Sequence, residues 1–189
     1  MSTFQQIGRS LGEVHKSVPQ PFRKYRSFAD DVWANSVLDP KTVEIVAVAV
    51  THVTKCSYCV DYHTKKAKRA GASAEELVEA AVLSASIQAN PLLLDEGSDY
   101  ESKSKAAEEF FRYPIDEESF YLERKTKILI GLSVSIALKN NYSVSLFKEQ
   151  ATQNELSQEE IKESGRIASA LLAGAAIRHL EEVWTAFAE

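Results

Sequence analysis

The chain has 189 residues, 44% of them hydrophobic and 26% charged, which is enough apolar material for one compact domain or two small ones. Its formal net charge of −5 argues against a general nucleic-acid surface, because phosphate recognition draws on an excess of Lys and Arg. The longest apolar run near the centre, Ile45 to Val50, falls far short of a membrane span, and Met1 to Gly12 lacks the basic-then-apolar pattern of a secretory leader, so the expectation is a soluble, cytoplasmic protein.

Nearly every segment reads as helix. Ser2 or Thr3 offers a cap for a first short helix ending before Pro19. From about Phe22 to Val37, apolar groups at Phe22, Tyr25, Phe28, Ala29, Val32 and Trp33 recur at helical spacing. Asp39-Pro40 is a start signal, a capping carboxylate followed by proline at the first helical position, and predicts a helix from Pro40 to about Thr51. The next helix opens near Cys56 and ends at Gly71. Ser73 and Glu76 form a capping box that opens a helix through about Ala89, where Asn90-Pro91 stops it. Asn90 to Lys103 reads as a connection. A long terminal helix spans Ile161 to Phe187.

The second half repeats the first at an offset of 84. Lys41-Thr42 recurs as Lys125-Thr126, the Ser73/Glu76 box as Ser157/Glu160, and Leu77, Leu83 and Ile87 as Ile161, Ile167 and Leu171. The expected architecture is therefore a single all-α domain over residues 1–189. One repeat covers about 22–89, and a degenerate second repeat about 105–187. The polar chemistry is not duplicated. Glu44 corresponds to Ile128, Cys56 to Asn140, Cys59 to Ser143 and His63 to Phe147, so the first half keeps a site that the second keeps only as scaffold.

That site is Glu44, then Cys56-Ser-Tyr-Cys59, then His63. Two cysteines three apart in the first turn of a helix lie within disulfide reach, about 5 to 6 Å between α-carbons. Free N–H groups and the helix dipole there favour a thiolate, the nucleophile toward a peroxide O–O bond or a disulfide. Cys59 and His63 are i, i+4 neighbours, so an imidazole lies near the sulfur to take and return its proton, and a carboxylate would fix the imidazole's tautomer. In one straight helix Glu44 and Cys56 would be about 18 Å apart. A helical hairpin turning near Val53 to Lys55 brings Glu44 level with His63 and puts the cysteines at the mouth of the second helix. Tyr58, between the cysteines, is a lower-ranked supporting residue. His52 is expected near the turn and His179 at the surface. The basic cluster Lys65, Lys66, Lys68 and Arg69 reads as a solvated face.

Two other readings of these residues stay open. The β-prone run Val43, Ile45, Val46, Val48, Val50 and Val53 before a Cys-x-x-Cys helix fits a thioredoxin-like fold. Glu44, Cys56, Cys59 and His63 are also four ligand types that zinc accepts, so a structural zinc protein is a second alternative.

The stretch from Lys41 to Ser86, with its Glu44, Cys56, Cys59 and His63 spacing, resembles the AhpD-like alkylhydroperoxidase branch of the carboxymuconolactone decarboxylase superfamily. The resemblance extends weakly to the whole chain through the second repeat. It implies an all-α AhpD-like fold and a thiol-dependent peroxidase that reduces small hydroperoxides. It also implies a dithiol or lipoyl-type electron donor, no cofactor or metal, and a homo-oligomer, with a trimer usual for two-repeat members. By that resemblance Cys59 attacks, Cys56 resolves, and His63 and Glu44 relay protons. Members that decarboxylate a lactone lack the cysteine pair. Some members carry a histidine just before the second cysteine, where this chain has Tyr58, which implies a shorter relay. A non-enzymatic thiol redox sensor on the same scaffold would carry the same residues.

Overall fold

The computed structural model describes residues 12–89 and 121–188, and every regular element among them is helical. After a helical run at 12–17, the helices are α1 (Pro19–Ala34), α2 (Pro40–Thr54), α3 (Ser57–Arg69), α4 (Ala74–Gln88), α5 (Arg124–Ala137), α6 (Asn141–Gln153), α7 (Gln158–Arg178) and α8 (Leu180–Ala188). The expected cap at Ser2 or Thr3 and the connection from Asn90 to Lys103 lie outside the described residues.

Two helices form the centre. α2 is buried without interruption from Val43 to Thr51, and α5 from Thr126 to Ser135. They pack on each other; α3 and α4 close over α2, and α6 and α7 over α5. This answers the β-prone reading of Val43 to Val53. β-Branched residues lose only tenths of a kcal/mol each in a helix, whereas burying one fully contributes about 1.5–3 kcal/mol. A helix apolar all round belongs in a core.

The duplication is visible in the backbone. Lys55 and Lys139 both turn left-handed, at φ 55° and 58°, between the paired helices α2/α3 and α5/α6. Gly71 and Glu155, again 84 apart, do the same at φ 93° and 58° before the capping boxes. Both boxes are closed, with Ser73 and Glu76 capping α4 and Ser157 and Glu160 capping α7. The Ser157 amide holds the Glu160 carboxyl below the usual carboxylate range. Where the chain reaches the second repeat, buried Glu79 of α4 accepts from the backbone N–H groups of Tyr121 and Leu122, at 2.6 and 2.8 Å.

Two expected boundaries move. α1 begins at Pro19 rather than Phe22, because Pro19 and Pro21 lie in the first turn, where a missing N–H costs nothing, and it ends at Ala34 rather than Val37. The single terminal helix from Ile161 to Phe187 is two helices that meet at His179. His179 itself is exposed and pairs with Glu182 at 3.2 Å.

In the second repeat the positions of Glu44 and His63 carry apolar side chains, Ile128 and Phe147. Phe147 stands where the first repeat has His63, and its ring lies so close to α5 that a β-carbon on Gly131 would overlap it. Gly165 of α7 has room, with only Ile136 Cδ1 in ordinary contact at 3.7 Å. Gly131→Ala should lower stability by about 1–3 kcal/mol through overpacking. Gly165→Ala should be neutral or gain up to about 1 kcal/mol from helix propensity. Urea unfolding of the two variants checks this, and a Gly131→Ala protein more stable than the wild type would contradict the packing.

Candidate functional site

The hairpin between α2 and α3 assembles the polar cluster. Asp39 caps α2, accepting from the Lys41 and Thr42 amides at 3.0 Å each, and Pro40 opens the helix. α2 closes after Thr54, Lys55 turns, and Cys56 becomes the cap of α3, its sulfur accepting from the Cys59 N–H at 3.3 Å. The turn lies where the spacing of Glu44 and His63 required it. His52, in the last turn of α2, bonds the Val48 carbonyl through Nδ1 at 2.8 Å and takes no part in the cluster.

Glu44 and His63 meet across the hairpin. His63 Nδ1 lies 2.7 Å from Glu44 Oε2, and both side chains are almost wholly buried. Glu44 Oε1 takes the Lys66 ammonium at 2.6 Å. With an ammonium on one oxygen and an imidazole on the other, the carboxylate accepts on both sides. Nδ1 is therefore the nitrogen that donates to Glu44, and Nε2 is the one turned away from the carboxylate. Trp33 of α1 stacks on the imidazole at 5.3 Å, and Tyr62 meets it edge-on at 5.1 Å, which fixes the ring's plane.

The two cysteines are joined as a disulfide with their α-carbons 5.2 Å apart. Both are buried, packed against Ala175 of α7 and Tyr58. They are not equivalent: Cys59, with His63, lines a cleft of about 570 Å³ between α1, α3 and α7, whereas Cys56 is not on its wall. Tyr58 also lines the cleft, its ring under the Arg178 guanidinium at 3.6 Å. The four groups that a zinc reading would need do not converge. The sulfurs bond each other, and the imidazole nitrogen that faces Glu44 is used by it. Among the described residues no three His, Cys, Asp or Glu side chains gather as a metal cluster.

Lys66 corrects the sequence reading. Of the cluster read as a solvated face, Lys68 and Arg69 are exposed and Lys65 pairs with Asp61 at the surface, but Lys66 turns inward onto Glu44. The signal was present, since residue 66 is three after His63 and shares its face of α3. Trp33 and Arg178 reach the site from α1 and α7, and no local pattern announces them. Removing the ammonium strands a buried carboxylate, so Lys66→Met should cost about 1–3 kcal/mol, discounted for the partial exposure of the lysine. Lys68→Met should stay within about 0.5 kcal/mol. Denaturant unfolding of the reduced proteins checks this, and equal stabilities would remove Lys66 from the cluster.

Comparison with known proteins agrees with this architecture. The model of the carboxymuconolactone decarboxylase family matches residues 19–95 and again 121–186, once on each repeat. An uncharacterized protein of Paracoccus denitrificans, protein 4 in the cox locus, is 35% identical over 80 residues, covering 42% of this chain and 72% of that one. An uncharacterized protein of Haemophilus influenzae is 33% identical over 61 residues, which is 32% of this chain and 54% of that relative. A crystal structure from Burkholderia xenovorans, provisionally described as a gamma-carboxymuconolactone decarboxylase subunit, superposes with a TM-score of 0.63 over 98% of this chain and 96% of its own, at 19% identity, and so shares the fold. With its family pattern covering both repeats, the chain belongs to the carboxymuconolactone decarboxylase family.

Proposed function

We propose that this protein is a thiol-dependent peroxidase of the alkylhydroperoxidase type, with Cys59 as the attacking sulfur, Cys56 as the resolving one, and His63 and Glu44 as the proton relay. The observation that carries the reading is the asymmetry of the pair. Cys59 shares a cleft wall with His63, whose other nitrogen is held by a buried carboxylate, while Cys56 lies behind it on the backbone of α3.

The chemistry closes with these groups. The imidazole takes the Cys59 proton, and the thiolate attacks the terminal oxygen of a hydroperoxide. An S–O bond forms as the O–O bond breaks, and the alkoxide leaves with the proton as an alcohol. Sulfur is oxidised by two electrons and the peroxide is reduced by two. The Cys56 thiol then displaces water from the sulfenic acid and closes the disulfide. A dithiol donor attacks Cys59 from the cleft, releasing the Cys56 thiolate, which the Cys59 N–H is placed to stabilise as a leaving group. The donor's second thiol then frees Cys59 and carries the donor away as its own disulfide.

The family name and the structural relative also point toward lactone decarboxylation, but the cysteine pair and its imidazole favour redox chemistry. No helix among the described residues is long and apolar enough to cross a membrane, in keeping with small dissolved substrates. The subunit description of the structural relative is compatible with a homo-oligomer, and a trimer is the expected form.

Steady turnover of a hydroperoxide with dihydrolipoamide is the test, and it separates an enzyme from a sensor, which would oxidise once and stop. Cys59→Ser should abolish consumption. Cys56→Ser should accumulate a sulfenic acid that dimedone traps on Cys59. Full activity in Cys59→Ser would reverse the assigned roles, and single-turnover oxidation of the wild type would favour the sensor.

A further inference from the structure

The cleft beside Cys59 carries more cations than acids on its described lining. Among the described residues, the cations Arg26, Lys66 and Arg178 line it, against the acid Asp30. Two are spent: Arg26 pairs with Asp30 at 2.8 Å, and Lys66 with Glu44. Arg178 forms no ion pair among the described residues. Glu181 and Glu182 follow it on α8, but neither bonds it, and Glu182 is taken by His179. Its guanidinium instead lies face-on over the Tyr58 ring at 3.6 Å.

That stacking has a chemical consequence. A guanidinium on an aromatic face uses its face and leaves its N–H edge unspent, a fork whose spacing matches a carboxylate. The stack also fixes where the fork lies. Tyr58 is next to Cys59 in the chain, and Ala175, one turn before Arg178 on α7, packs against the cysteine pair. Arg178, Cys59 and the aromatic residues Tyr25, Trp33 and Tyr62 thus line one cleft. Gly174 lets the Tyr25 hydroxyl lie close against α7, since a β-carbon there would stand 3.0 Å from it.

Resting on the peroxidase reading and naming its substrate class, we propose that Arg178 is the specificity-determining residue of this cleft. It takes the carboxylate of a small aromatic or branched acid whose other end meets Cys59. The carboxylate can belong to the hydroperoxide or to the dithiol donor; the chemistry at Arg178 is the same, and the two half-reactions separate them.

The probes are matched pairs. Reduced protein is oxidised with cumene hydroperoxide or its para-carboxylate, and oxidised protein is reduced with dihydrolipoamide or dihydrolipoate, each followed by stopped flow. In at least one half-reaction the charged probe should react about tenfold faster or more than its neutral partner. Arg178→Gln should bring that ratio near one, while Lys148→Gln, a charge removed outside the cleft, should leave it unchanged. Equal rates for both pairs in the wild type, or a preference that survives Arg178→Gln, would overturn the proposal. Binding of para-isopropylbenzoate, which cannot react, is read separately by fluorescence titration and should weaken about tenfold in Arg178→Gln. If neither peroxide oxidises the wild type, the peroxidase reading fails. The binding loss then still stands as evidence for the carboxylate site, and its absence would remove that as well.

Discussion

A carboxylate taken out of water inside a helical bundle costs several kcal/mol unless each of its oxygens finds a charged or strongly polar partner. Glu44 has been placed in that position and supplied on both sides, by His63 at 2.7 Å and by Lys66 at 2.6 Å. Both partners come from α3, so the stability of the acid depends on the turn at Lys55 that folds α3 back along α2. The same turn makes Cys56 the cap of α3 and puts Cys59 one helical turn before the imidazole. Thus one buried charge requires the hairpin, and the hairpin delivers the disulfide, the imidazole and the wall of the cleft together.

The second repeat shows what the scaffold becomes without that requirement. Its helices, turns and caps keep their positions at an offset of 84, down to the cap of α6, where Asn140 accepts from the Ser143 amide as Cys56 accepts from that of Cys59. The charged centre has become Ile128 and Phe147, and the crossing that Phe147 occupies has shrunk to glycine at Gly131. Apolar side chains need no partner for each atom but do need matching shapes, so at these two positions the polar pairing of one half is replaced by close packing in the other. The second half is not idle: α7 contributes Ala175 behind the sulfurs and Arg178 over Tyr58, so the site of the first repeat is completed by a helix of the second.

Much of this was readable before any coordinates. The duplication, the capping boxes, the start of α2 at Asp39-Pro40 and the hairpin were written in short-range signals with a fixed spacing. The relation of Glu44 to His63 followed from arithmetic, because only a turn near residue 54 lets two groups 19 apart meet. What failed to show was whatever depends on three dimensions at once. Lys66 was hidden among Lys65, Lys68 and Arg69, where a run of like charges normally means water, and only the burial of Glu44 distinguishes it. The start of α1 was displaced by reading Pro19 as the stop of a preceding helix, when Pro19 and Pro21 lie in its own first turn. The break at His179 has no glycine or proline to mark it, and Arg178 reaches the cleft through a packing of α7 that no window of the sequence contains.

The account turns on which nitrogen of His63 carries the proton. If Glu44 accepts from Nδ1, then Nε2 is bare and able to take a proton from the Cys59 thiol; if the tautomer is reversed, the relay has no base. Nitrogen-15 NMR of the histidine side chains in the reduced protein reads this directly. A neutral His63 with a protonated Nδ1, lost or scrambled in Glu44→Gln, is the predicted result. A His63 protonated on Nε2 in the wild type would contradict the relay and the function built on it.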